Sequence, residues 1–284
     1  MDPLANAERD GLNRPTMADT AAITTYRYLR ISMVMAVVVL AVSVGIERAQ
    51  VDCWQTSVSA YYYTPVRAIF VGVLLAVGLC LIAIKGSTVW EDATLNAAGM
   101  LAPIVAVVPT TDVGTCWSET PPSFPVTDDG ELAPWVVANI DNNVTALIVT
   151  GIVGLIVAAI IASIATRNVM AVAEVGPVRM RLGLLAALAF LVVGSIVFAL
   201  WDDFDTRAHG LAAIAMFLLL AVAVGLNAWE HRDDPGRRVY LWLYGTIAGA
   251  MVLAGLVMFP FGSRWAHMVL VLEATEITLF AVFW

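Results

Sequence analysis

Of 284 residues, 60% are hydrophobic and 13% charged, and the mean hydropathy of +0.84 lies outside the balance of a soluble globular protein. A net charge of −8 offers no basic patch to neutralise phosphates, so nucleic acid is excluded as a partner. What remains is an all-α integral membrane bundle whose first partner is the lipid bilayer.

Met1 to Thr25 is polar, with Glu8, Arg9, Asp10, Arg14 and Asp19. It lacks the apolar core of a cleavable signal peptide and is read as a disordered cytoplasmic tail, leaving 26–284 as one polytopic transmembrane domain. Leu29 to Ile46 is long and apolar enough for a first span. A second runs from about Pro65 to Ile84, with Pro65 suited to the first turn. The third, Ala93 to Val108, carries Asn96, Gly99 and Pro103, which places it inside the bundle. The polar interval 110–143, rich in Pro, Asp, Ser and Thr, forms an extracytoplasmic cap loop.

The fourth and fifth spans, Val144 to Ala165 and Leu182 to Leu200, are plain apolar runs joined by Arg167 to Arg181. The sixth covers Ala208 to Trp229. The seventh, Val239 to Phe259, holds Gly245 and Gly249 at a spacing that lets another helix approach closely. Pro260 to Ser263 turns the chain into the eighth, Arg264 to Trp284.

About eight spans put both termini on one side. With that side inside, eleven of the 15 basic residues are cytoplasmic; Arg48, Arg67, Arg207 and Arg264 are the four outside. The protein is therefore expected in a bacterial cytoplasmic membrane. This orientation places Cys53 and Cys116 in separate outside loops, where an oxidising compartment permits a disulfide; two free thiols are the alternative.

The eighth span carries acids in its interior. Glu273 and Glu276 lie roughly 13 and 18 Å below Arg264, bracketing the midplane of a core about 30 Å thick. An acid there must be protonated, paired or facing water, and its default reading is functional; the alternative is a protonated side chain acting as structural glue. The two share a face, so partners must come from other helices, Arg67 and Asn96 among the types available. Polar residues also gather at the outer rim, where interfacial belts and helix ends account for most of them. Arg67, His209 and His267 stand apart because they lie just inside their spans. No zinc-ligand spacing, nucleophile elbow, Walker loop or dinucleotide fingerprint is present, and no metal or cofactor is assigned.

Ser57-Val-Ser-Ala-Tyr-Tyr-Tyr63, Arg67, Phe70-Val-Gly72, Lys85-Gly86, Glu91-Asp92, Asn96, Ala98-Gly99 and Pro109-Thr110 together resemble an uncharacterised family of bacterial multi-pass membrane proteins. His209 with Ala212 and Ala213, and Glu273-Ala274 with Phe280 and Trp284, are similar to later segments of that family. The resemblance implies a common fold and a site of Ser59, Tyr61, Arg67, Asp92, His209 and Glu273, with no activity attached. A weaker similarity, in Ser, Asp and His at helix ends, is to the ceramidase-type membrane hydrolase superfamily; the paired His motif of the last helix is missing here.

Three functions follow as expectations. The first is a non-enzymatic membrane component that binds a lipid or a partner protein. The second is a proton- or ion-coupled transporter using Glu273 and Glu276. The third is an intramembrane hydrolase using His209, His267 and an acid. Sidedness is directly testable: reporter fusions at Gly130 and at the C-terminus should give outside and inside signals respectively. An inside signal from Gly130 overturns the topology.

Overall fold

Apolar runs without helix breakers become helices wherever the surroundings cannot solvate a free backbone. The computed structural model describes residues 17–114, 116, 125–127, 132–167, 177–258 and 265–284. Residues 1–16 of the tail, much of the cap loop, part of the 167–181 connection, and the 260–263 turn with Arg264 lie outside the described residues. Eight α-helices follow in order: α1 Met17–Val51, α2 Arg67–Ala83, α3 Val89–Val107, α4 Pro134–Arg167, α5 Pro177–Leu200, α6 Phe204–Glu230, α7 Arg238–Met258 and α8 Met268–Phe283. A short 3-10 helix, Ser59–Tyr63, sits between α1 and α2. Among the described residues the β-structure is one bridge, Val126 to Leu132.

Five helices, α1, α4, α5, α6 and α7, are long and apolar enough to cross a membrane; α2 is apolar but shorter. Among the described residues the chain is thus an all-α membrane bundle. α1 begins at Met17, inside the stretch whose polarity suggested a tail. α4 begins ten residues before the expected Val144, because no breaker separates Pro134 from the apolar run and Pro134 fits a first turn. The early turns bury Val136, Ile140 and Val144, at i, i+4 and i+8, in one cluster with Ala106, Val108, Phe204 and Ala208. α8 starts four residues later than expected, at Met268.

α3 lies inside, packed most extensively on α2 and α6. Thr88 caps it, its hydroxyl accepting the Glu91 N–H at 3.1 Å. Ala98, Ala102 and Ala106 form a fully buried stripe of small residues. The closest helix crossing pairs Gly99 with Gly78 of α2: a Cβ on Gly99 would lie 2.6 Å from the Gly78 carbonyl oxygen. That corrects the expectation at Gly245 and Gly249, where a Cβ meets nothing within 4 Å; α7 turns both away from its neighbours. α4 and α5 pack mainly on each other and show lipid-facing side chains along their spans. Cys53 and Cys116 are joined in a disulfide, Cα to Cα 6.2 Å.

Gly99→Ala should therefore push main chain against main chain and cost about 1–3 kcal/mol, whereas Gly245→Ala should be neutral or slightly stabilising. Thermal unfolding in detergent separates the two. Equal midpoints would mean that the α2–α3 crossing does not depend on the missing side chains.

Candidate functional site

The segment between α1 and α2 folds into the bundle instead of lying over it. Gln55, Ser57, Ser59, Tyr61 and Tyr62 are all buried. Burial demands partners for every polar group. Gln55 exchanges side-chain hydrogen bonds with the Cys116 main chain beside the disulfide. The Tyr63 hydroxyl donates to the Thr110 carbonyl at 2.7 Å, and the Ala60 N–H donates to Ser57 Oγ at 2.9 Å. Burial pushes the Tyr61 and Tyr63 phenols up from their ordinary value, so both stay protonated near neutral pH.

The N-terminus of the 3-10 helix points its free N–H groups at α8. Glu273 Oε2 accepts the Val58 N–H at 2.6 Å and the Ser59 N–H at 3.1 Å. A carboxylate at a helix N-terminus is the favourable pairing of charge with exposed donors. Glu273 Oε1 lies 2.7 Å from Ser59 Oγ, which lies 2.9 Å from His209 Nε2 on α6. His209 Nδ1 lies 2.7 Å from the carbonyl oxygen of Val108, the residue that ends α3. Ser59 and His209 are each 5% exposed.

Counting hydrogens fixes the state of this chain. A carbonyl only accepts, so Nδ1 carries a proton toward Val108. The links from Glu273 to Ser59 and from Ser59 to His209 then need two more protons, and the Ser59 hydroxyl supplies one. The other resides on Glu273 or on His209 Nε2. In either form the cluster is neutral overall, which suits a low-dielectric interior.

An apolar cavity of about 70 Å3 runs from Ser59 and Glu273 into the bundle between α1, α2, α6 and α8. Phe70, Val73, Leu74, Val77 and Leu81 line it as one face of α2, at i, i+3, i+4, i+7 and i+11. Eleven residues of helix make the slot about 17 Å long.

The other candidates are placed elsewhere. Tyr61 is next to the cluster; its hydroxyl accepts the Gln55 N–H at 3.5 Å. Arg67 does not reach Glu273: it donates to the Tyr62 hydroxyl at 2.7 Å and stacks on that ring. Asp92 is in the first turn of α3, the opposite end from Val108, paired with Lys85 at 3.0 Å. Its charge meets the cation and the Gly86 N–H of the short connection that precedes its own helix. His267 meets the Gln55 carbonyl at 3.1 Å instead of sharing a site with His209. Glu276 is 5% exposed but lines neither of the two cavities described; one of its carboxyl oxygens has no hydrogen-bond partner among the described residues.

Two groups escaped the sequence reading. Gln55 gave no signal, being one polar residue in a polar loop. At the far end, Glu91 accepts from Ser87 N–H at 2.8 Å and from Asn227 at 3.1 Å, and the Ser87 hydroxyl also contacts Glu230. The Thr-x-x-Glu spacing of a capping box, Thr88 to Glu91, is the signal that could have found Glu91, though not its tie to α6.

Glu273→Gln should preserve the loop: the amide oxygen takes both backbone N–H groups, the amide NH2 donates to Ser59, and Ser59 turns its proton to His209. Ser59→Ala leaves His209 and Glu273 each short of a partner and should cost about 1–3 kcal/mol. Unfolding midpoints in detergent read both. A Glu273→Gln loss as large as that of Glu273→Ala would show that ionic charge, and not hydrogen-bond geometry, holds the loop. Comparison with protein-family models, with curated proteins and with solved structures finds no match.

Proposed function

We propose that this is a non-enzymatic, lipid-binding component of a bacterial cytoplasmic membrane, which takes one acyl chain into the slot between α1, α2, α6 and α8. The observation that carries this reading is the slot itself: apolar along its length, polar only where Ser59 and Glu273 close it, and narrow enough for one extended chain. A neutral head, protonated acid or ester, suits the neutral cluster at that end. The bias of basic residues puts the closed end on the outer side.

One observation favours hydrolysis or acyl transfer as a second reading. Ser59 Oγ lies 2.9 Å from His209 Nε2, the spacing of a hydroxyl nucleophile and its base, where an acyl carbonyl would arrive. Against it, His209 Nδ1 is held by a carbonyl and not a carboxylate, and the Val58 and Ser59 N–H groups that would hold an oxyanion are occupied by Glu273. The transporter reading draws on Glu273 alone, since Glu276 lines neither cavity.

A fatty acid bearing a terminal diazirine, photolysed with the detergent-purified chain, should label residues near Leu81, Leu220 and Phe280. Leu74→Trp should fill the slot and remove that labelling. Labelling confined to α4 and α5, or unchanged by Leu74→Trp, overturns the reading. Covalent capture of Ser59 by a fluorophosphonate would favour the enzymatic one.

A further inference from the structure

Between α1 and α8 lies a second, wider cavity of about 480 Å3. It shares Val37, Leu40, Val58 and Ile277 with the slot, so the two spaces adjoin across Leu40 and Ile277. Its floor on α1 is made of Ala41 and Gly45, and a Cβ on Gly45 would meet nothing within 4 Å. The neighbouring α1 side chains Val38, Val42 and Ile46 are exposed, so the groove opens sideways into hydrocarbon and not into water.

One end of the groove is polar and aromatic. Trp54, Trp265 and His267 line it there, the set that marks a headgroup level. Arg48, one turn beyond Val44, stacks its guanidinium over Trp54 at 5.5 Å. It pairs with Asp52 at 2.8 Å through one terminal nitrogen, while its buried Nε has no hydrogen-bond partner among the described residues.

We infer that this groove is a phospholipid site and the lateral entrance to the slot, with the phosphate held at Arg48 and His267 and one acyl chain passing Leu40 and Ile277 into the bundle. The inference rests on the acyl-chain reading of the slot. Two features select a two-chain phospholipid over a single-chain ligand. The space widens about sevenfold in volume from slot to groove, which matches a branch point: one chain in the slot, glycerol and second chain in the groove. The imidazole of His267 at the rim and the Arg48 cation stacked on the rim residue Trp54 match a phosphate, which a guanidinium binds as a charge-assisted pair.

The test uses the full chain in vesicles of phosphatidylethanolamine and phosphatidylglycerol. Its two photoprobes are a phosphatidylglycerol with a diazirine at one acyl terminus and the free fatty acid with the same group. Both should label the deep slot. Gly45→Leu, whose Cβ has no neighbour within 4 Å and whose side chain extends into the groove, should reduce phospholipid labelling about tenfold and spare the fatty acid delivered in detergent; Arg48→Gln should do the same by about tenfold through loss of one charge-assisted contact. Ala41→Phe repeats the blockade should Gly45→Leu prove unstable by its unfolding midpoint. Slot labelling by the fatty acid but not by the phospholipid leaves the slot reading standing and overturns this inference. Labelling of the slot by neither overturns the slot reading itself. Phospholipid labelling that is indifferent to both groove variants refutes the entrance, and indifference to Arg48→Gln alone refutes phosphate recognition.

Discussion

The structure depends on where the Glu273 carboxylate finds its donors. A carboxyl on a helix surrounded by apolar side chains is costly unless hydrogen-bonded, and so are the unpaired N–H groups at the start of a buried 3-10 turn. Glu273 settles both at once by accepting from Val58 and Ser59. The same exchange recurs around it. The orphan carbonyl at the end of α3 is taken by His209, and the Leu270 N–H in the first turn of α8 donates to the Thr56 carbonyl at 3.0 Å. Loop and helix ends thus complete one another, and the loop becomes an inserted plug. The disulfide closes 63 residues of chain around this plug, a constraint worth about 4 kcal/mol in the chain-entropy account.

Packing is tight on one side of the plug and loose on the other. On the tight side, α2, α3 and α6 meet through Gly78, Gly99 and the alanine stripe of α3, which fixes the positions of Val108 and His209. On the loose side, α1 and α8 touch more sparingly and leave the slot and groove between them. Closing that seam with larger side chains at Ala41 and Gly45 would have buried more apolar surface. The sequence instead keeps small residues there, and a Cβ on Gly45 would meet nothing within 4 Å.

The helices were legible because apolar length is a property of the sequence itself, and the interior place of α3 was legible from Asn96, Gly99 and Pro103. Boundaries were less so: the Pro134 start of α4 depends on Val136 and Ile140 finding Phe204 and Ala208, a contact formed between distant segments. Glu273 stands out in the sequence for its depth below Arg264, but the helix itself starts later. Taking Arg264 as the helix start put it near the midplane, whereas from Met268 it is five residues along, about 7.5 Å, at the level of the inserted loop. Its partners therefore came from a loop and from His209, not from Arg67, whose planar cation found the Tyr62 ring and hydroxyl closer at hand. That Gly245 and Gly249 face away from the neighbouring helices was not legible either, since their spacing is the same whether the helix turns the pair inward or outward.

The occupied state of the donors also constrains chemistry at Ser59. A carbonyl reaching the end of the slot meets a hydroxyl already hydrogen-bonded on both sides and two N–H groups that already donate to Glu273. Nucleophilic attack would require Glu273 to release those N–H groups, leaving its own carboxyl short of donors in an apolar cavity, so the cluster stabilises the resting hydroxyl more than any tetrahedral oxyanion. Binding a chain costs nothing of the kind, because the slot below Ser59 offers only apolar walls. The same hydrogen bonds that seat the loop therefore support the proposed lipid-holding reading over cleavage at Ser59.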